Sequence, residues 1–205
     1  MSKLTSSPAR LEAFSDGVIA VIITIMVLEL KVPHLDGIAG LRSVLPTLCI
    51  YALSFTFIGI YWINHHHLVH RTDRADQAIL YANLAFLFCL SLLPFFTSYL
   101  IDKKIDSFSV ALYAVSMVVT GFSFLLLRIA IGIRLRQSGA LEAEDRAAQT
   151  KHLISLGMYG IAIPLAFYRP YWALAIIALM TLVWIYPTAP VHHQPEHRSQ
   201  GGNPS

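Results

Sequence analysis

Charge is scarce in this sequence. Only 13% of its 205 residues are Asp, Glu, Lys or Arg, against about 25% in a soluble domain. That leaves too little polar surface to cover a globule in water. Cysteine is scarcer still: Cys49 and Cys89 both fall inside apolar runs. This excludes a disulfide framework and any cysteine-based metal site, and both read as small hydrophobes. HExxH, GxSxG, the P-loop and GxGxxG are all absent. The polar residues within the apolar runs are too few to converge as nucleophile, base and metal ligand, so no enzyme, cofactor or metal is expected. The net charge of +3 is not gathered into a Lys/Arg stripe, which argues against a nucleic-acid partner.

Apolar residues make up 56% of the chain, with a mean hydropathy of +0.60. A membrane-spanning helix needs about 20 mostly apolar residues, and six stretches qualify: Ala9–Val32, Leu41–His70, Asp73–Ile101, Ser107–Leu135, His152–Tyr168 and Tyr171–Tyr186. The expected fold is all-α, a multi-pass bundle in the lipid bilayer. The last two spans are short and nearly abut across Arg169-Pro170, so a re-entrant hairpin is an alternative there. The first run is too long for the apolar core of a signal peptide, and none is expected. Residues 1–187 read as one helical domain. The segment 188–205, rich in Gly, Pro and polar residues, reads as a disordered tail. With six spans, ten of the 15 lysines and arginines fall on the side of the termini and five on the other, so both termini are expected to be cytoplasmic. The stretch Trp62–Asp76 (WINHHHLVHRTDRAD) is amphipathic and reads as two helices running on beyond the bilayer.

The histidines of that stretch raise the question of a metal. His66 and His70 share a helix face at i, i+4, but His65, His66 and His67 point about 100° apart on a helix and cannot all bind one ion. Solvated or hydrogen-bonded histidines at a membrane boundary, or a pH-sensing role, account for them as well.

The first span carries the sharper pattern. On a wheel of about 100° per residue, Ile23, Val27 and Leu30 form an apolar stripe, with Asp16 in line at its cytoplasmic end. Ordinary packing or lipid exposure explains such a stripe. A pore lining explains it too, since rings of branched alkyl groups gate by dewetting, and a carboxylate at the mouth would concentrate cations. Phe14 and Arg10 fall on the opposite face and are expected to contact the protein's own helices. Glu29 lies off the stripe and is expected to pair with Lys31 or a neighbouring chain near the outer edge.

Arg10-Leu-Glu-Ala-Phe14-Ser15-Asp16-Gly17 matches an R-x-x-x-F-S-D-[GA] pattern. Trp62-x-x-His65, then Asn83, then Leu93-Pro94-Phe95 with Thr97 follow in order. Together they resemble the potassium channels of the lysosomal transmembrane protein 175 family in their short prokaryotic form, strongly over the first hundred residues and by helix count beyond. The resemblance implies a homotetramer with a central pore lined by the first helix and no TVGYG filter; that string is indeed absent. It implies pore positions at Ile23, Val27 and Leu30, with Thr24 as a weak polar aid. It also implies a polar network of Arg10, Ser15, Asp16, Trp62, His65 and Asn83, set by the Phe14 and Gly17 motif positions. Asp16 therefore has two readings, mouth attractor or network member, compatible only if the helix bends near Gly17. The expected function is passive potassium flux, with the bilayer, potassium and further copies of the chain as partners, in a bacterial plasma membrane. A secondary transporter, for which Pro46, Pro94 and Pro164 could supply broken helices, and a non-transporting structural membrane protein are the alternatives.

Overall fold

The computed structural model describes residues 7–139 and 143–185. The 188–205 tail lies outside them. Helix α1 runs Pro8–Met26 and continues as a 3-10 turn, Val27–Glu29. Pro8 sits where the first turn has no use for its missing N–H. Leu30 is already extended, with φ −77° and ψ 107°. Helix α2 spans Gly37–His70, 34 residues. At 1.5 Å per residue that is about 50 Å, well beyond a hydrocarbon core of about 30 Å, so its histidine-rich end leaves the apolar slab. Helix α3, Gln77–Ser91, is capped by Asp76, whose carboxylate accepts from the Ile79 N–H at 3.1 Å. The chain breaks at Leu92 and resumes as α4, Leu93–Asp102. Pro94 is the reason: it has no N–H to donate back across the break, and its ring crowds the preceding turn. Helices α5 (Ser107–Gln137), α6 (Ala143–Tyr168) and α7 (Pro170–Ile185) follow among the described residues, with Arg169 alone between the last two.

These seven helices account for the six expected spans, with α3 and α4 as one bent rod. Four stretches are long and apolar enough to cross a bilayer: Pro8–Glu29, Gly37–His70, Gln77–Asp102 and Ser107–Gln137. The fifth helix was expected from His152 and starts nine residues earlier; polar residues at its start carry no apolar signal yet are helical. Helix α7 has 16 residues, about 24 Å of rise. Tyr168, Tyr171 and Trp172 around the α6–α7 turn are largely exposed, as aromatic side chains are at a membrane interface.

The hub is α5. Two thirds (67%) of its apolar window is buried, against 22–33% in the other three long spans. Tyr113, Met117 and Leu127 are fully covered. An aromatic cluster ties α5 to its neighbours, with Tyr61 of α2 and Phe86 of α3 each 5.1 Å from Phe124. Buried hydroxyls form a second tie: Thr97 of α4 donates to Ser54 of α2 at 2.9 Å, and Ser54 bonds the Tyr113 hydroxyl at 2.7 Å.

Between α4 and α5 the chain turns through two left-handed residues, Lys104 (φ 54°) and Ile105 (φ 62°). Asp106 then caps α5 by accepting from the Ser109 N–H at 2.7 Å. The Ser109 hydrogen bonds hold the Asp106 carboxyl below its usual range. A depressed carboxyl stabilises the fold above the unfolded value of about 3.9, and that contribution is lost as pH falls through the folded value. Asp106→Ala should therefore lower the thermal midpoint slightly at neutral pH. The gap to wild type should close below about pH 4, and a gap independent of pH would contradict this role.

Candidate functional site

Helix α1 buries one line of residues, Leu11, Ser15, Ile19, Ile22 and Met26, against the bundle. It leaves Ala13, Gly17, Ala20 and Thr24 exposed, four small or hydroxyl-bearing residues spaced as one face of a helix. Ile23 lies at the edge between the two faces, half-buried against the core. Val27 is 48% exposed but belongs to the 3-10 turn, and Leu30 follows the helix end. The stripe expected at Ile23, Val27 and Leu30 is thus helical only at Ile23; the tighter turn ends the 100° spacing. Thr24 donates its hydroxyl to the Ala20 and Val21 carbonyls, both at 3.0 Å.

Behind α1 runs a fully buried chain of hydrogen bonds. The Ser15 hydroxyl donates to the Leu11 carbonyl at 2.8 Å. Asn83 Nδ2 of α3 donates to Ser15 Oγ at 3.0 Å. Asn83 Oδ1 lies 2.8 Å from His65 Nε2 of α2. Since the Asn83 amide nitrogen is committed to Ser15, its oxygen must accept, so His65 carries its proton on Nε2. Nδ1 of His65 has no partner among the described residues, and the ring stacks on Phe86 at 5.8 Å. Ser15, His65 and Asn83 are all fully buried.

A second set lies nearer the exposed end. Trp62 Nε1 donates to Asp16 Oδ1 at 2.9 Å, and His66 Nδ1 meets Glu12 Oε1 at 2.6 Å. Asp16 and Glu12 are one turn apart on α1, and Trp62 and His66 one turn apart on α2, so the two helices meet as a two-rung ladder. Glu12 and His66 were missed in the sequence. Their i, i+4 match to Asp16 and Trp62 was the available signal. The helix runs unbroken past Gly17. Asp16 reaches Trp62 without the bend expected there.

Arg10, Phe14 and Gly17 do not join these bonds. Arg10 is exposed and Phe14 is 54% exposed, contrary to the expectation that both pack on the protein's own helices; the buried line of α1 runs along a different side. Phe14 instead edges a groove of about 840 Å³ between α1 and the α3–α4 rod, with Ala13, Gly17, Val21, Ile25, Pro94 and Phe95, so part of the exposed small-residue line borders it. Glu29 and Lys31 do not pair with each other. Glu29 accepts from the Ser98 hydroxyl at 2.7 Å, and Lys31 lies 3.4 Å from Asp102; both partners sit on α4, which packs beside the 3-10 turn. No set of three His, Cys, Asp or Glu side chains gathers as a metal site among the described residues.

A family model described as the endosomal/lysosomal potassium channel TMEM175 matches residues 10–94, the stretch that holds both bond sets. A potassium channel of Chryseobacterium sp. (strain P1-3) is 40% identical over 178 residues, covering 87% of this chain and 92% of that protein. The chain belongs to the TMEM175 family. A second relative, a potassium channel of Streptomyces collinus, is 33% identical over 196 residues, 89% of this chain and 93% of its own. The crystal structure of a lysosomal potassium-selective TMEM175 homolog from Chamaesiphon minutus superposes with a TM-score of 0.77 at 25% identity, over 89% of this chain and 98% of that one. The TMEM175 family is one of ion channels, and its members similar to this chain over most of their length are bacterial membrane proteins.

Proposed function

We propose that this TMEM175 family member is a potassium-permeable cation channel and not an enzyme. Four copies of the 1–187 unit surround a central pore lined by α1, with both termini on the cytoplasmic side of a bacterial plasma membrane. The carrying observation is the free face of α1. A lipid-facing helix surface is ordinarily bulky and apolar, whereas Ala13, Gly17, Ala20 and Thr24 leave room for close approach to an axis. Ile23 and Val27 flank that line and form the apolar constriction, with Leu30 beyond and Thr24 the one hydroxyl at its level. An ion there sheds water and gains few ligands, so selection is modest and rests on ring width rather than on a carbonyl filter. Asp16 and Glu12 at the cytoplasmic mouth draw cations toward it, while Asp16 also holds α2 through Trp62.

Reconstitution into potassium-loaded liposomes with a proton ionophore tests this reading. The expected result is passive flux that dissipates a voltage and needs no counter-ion. Flux only with a second ion gradient would indicate a transporter, and no flux a structural protein.

The same assay reads the histidines. A proton added at His65 Nδ1 would be a buried donor without an acceptor, in a ring flanked by Asn83, Phe86 and the Glu12, Asp16 and His66 side chains. Flux should change as pH falls below about 6.5, the ordinary histidine value. His65→Gln should flatten that change, since its amide can still donate to Asn83 without titrating. His67→Gln, exposed and outside both bond sets, should leave the profile as in wild type. Equal profiles for all three proteins would remove His65 from the response.

A further inference from the structure

The loop from α2 to α3 and the last turn of α5 enclose a cleft of about 360 Å³ at the end of the bundle that holds the chain's N-terminal helix start. Arg71 and Arg74 of the loop and Arg134 of α5 line it, with Gln137 and Ser138 as neutral donors and Asp73 as the one acidic side chain. Three guanidinium groups against one carboxylate leave the cleft positive.

The loop is built, not loose. Thr72 is 4% exposed and donates its hydroxyl to the Arg74 carbonyl at 3.1 Å, and Ala75 is fully buried. The arginines of the last α5 turn are not needed to close its carbonyls. The Ser138 N–H bonds the Arg134 carbonyl at 3.1 Å, and the Gly139 N–H, in a left-handed residue (φ 73°), bonds that of Arg136 at 3.3 Å. Charge at this end of the bundle would satisfy topology with any basic residue at any exposed site. Arginines lining one cavity, Arg74 and Arg134 beside Arg71, fit something narrower, a tetrahedral oxyanion taken by paired N–H donors.

We propose that this cleft binds a phosphate group, carried by an anionic lipid headgroup. The lipid source follows from the exposed surfaces of the helices that carry the cleft. Ile129 and Ile133, one turn apart on α5, are 43% and 56% exposed, and Ile133 adjoins Arg134. Tyr81, early in α3, is 64% exposed. Exposed apolar side chains on α5 and α3 thus lie within about two turns of the arginines, the arrangement expected where acyl chains end and phosphates begin. Free phosphate offers the same oxyanion without the chains.

The purified full-length channel, stripped of lipid in detergent, tests this by native mass spectrometry with added phosphatidylglycerol, phosphatidylcholine or inorganic phosphate. Phosphatidylglycerol should bind in preference to phosphatidylcholine, whose choline the arginines repel. Arg74→Gln and Arg134→Gln should each weaken it about tenfold, the usual worth of a charge-assisted hydrogen bond. Arg136→Gln, an equal loss of charge at an exposed position on the same turn but outside the cleft, should not. Inorganic phosphate that binds and displaces the lipid would keep the phosphate site and assign it to the free ion. Equal loss in all three variants, or equal binding of both lipids, would overturn the site. Arg74 is exposed, so Arg74→Gln decides the matter even where Arg134→Gln fails to fold.

Discussion

Asn83→Ala is expected to cost about 2–4 kcal/mol and to lower the thermal midpoint by roughly 4–16 °C, at about 2–4 °C per kcal/mol for a chain of this size. The Asn83 amide links Ser15 on α1 to His65 on α2, and all three side chains are fully buried. Truncation strands the His65 Nε2–H. A stranded buried donor loses its solvation without return, at about 1–3 kcal/mol, and the emptied volume adds to that. Asp16→Ala is a milder change. Asp16 is half-buried, and its bond goes to Trp62, itself 42% exposed. Water replaces that partner readily, so the expected cost is about 1 kcal/mol. Melting both variants in the same detergent checks the order. A larger loss at Asp16 than at Asn83 would place the structural weight on the carboxylate instead.

Ile23→Asn is expected to raise resting potassium flux by about tenfold, equal to some 1.4 kcal/mol taken from the barrier. The branched side chain sits at the edge of the free α1 face, where four copies would narrow an axial path. An amide there holds water through the constriction, so a cation no longer sheds its shell against hydrocarbon. Potassium preference over sodium should fall at the same time. Val21→Asn is the comparison: Val21 is 55% exposed and lines the groove beside Pro94 and Phe95, about 70° round the helix from the centre of the Ala13–Thr24 line at 100° per residue. It should alter assembly or nothing, without a leak. Paired liposome fluxes at matched protein level separate the two. Unchanged resting flux in an intact Ile23→Asn assembly would make Ile23 ordinary packing.

The spans were readable because about 20 apolar residues in a row have few other uses. Ser15, His65 and Asn83 were assigned to one network by the family resemblance and not by helix periodicity, which does not say which polar groups meet across helices. Other features were set by contacts that no single helix announces. The 3-10 turn at Val27–Glu29 lies where Glu29 reaches Ser98 of α4, a pairing 69 positions apart in the chain. A wheel drawn for an unbroken helix therefore misplaced Leu30. The break at Leu92 had a visible cause in Pro94, yet Pro46 and Pro164 lie inside continuous helices, so proline alone did not decide it. Arg10 and Phe14 were assigned inward because the wheel ranks faces relative to one another but does not say which face meets the bundle.

Thr24→Cys, in a background with Cys49 and Cys89 replaced, tests the α1 pore most directly. Thr24 is exposed and its hydroxyl serves only its own helix backbone, so the substitution should leave the fold intact. The measurement is potassium flux before and after a membrane-impermeant cationic thiol reagent, with the extent of modification read by mass spectrometry. A positive charge added on each copy at the level of Ile23 should bring flux close to that of empty liposomes, while modified Val21→Cys keeps its flux. Complete modification of Thr24→Cys with undiminished flux would place the ion path elsewhere than along α1.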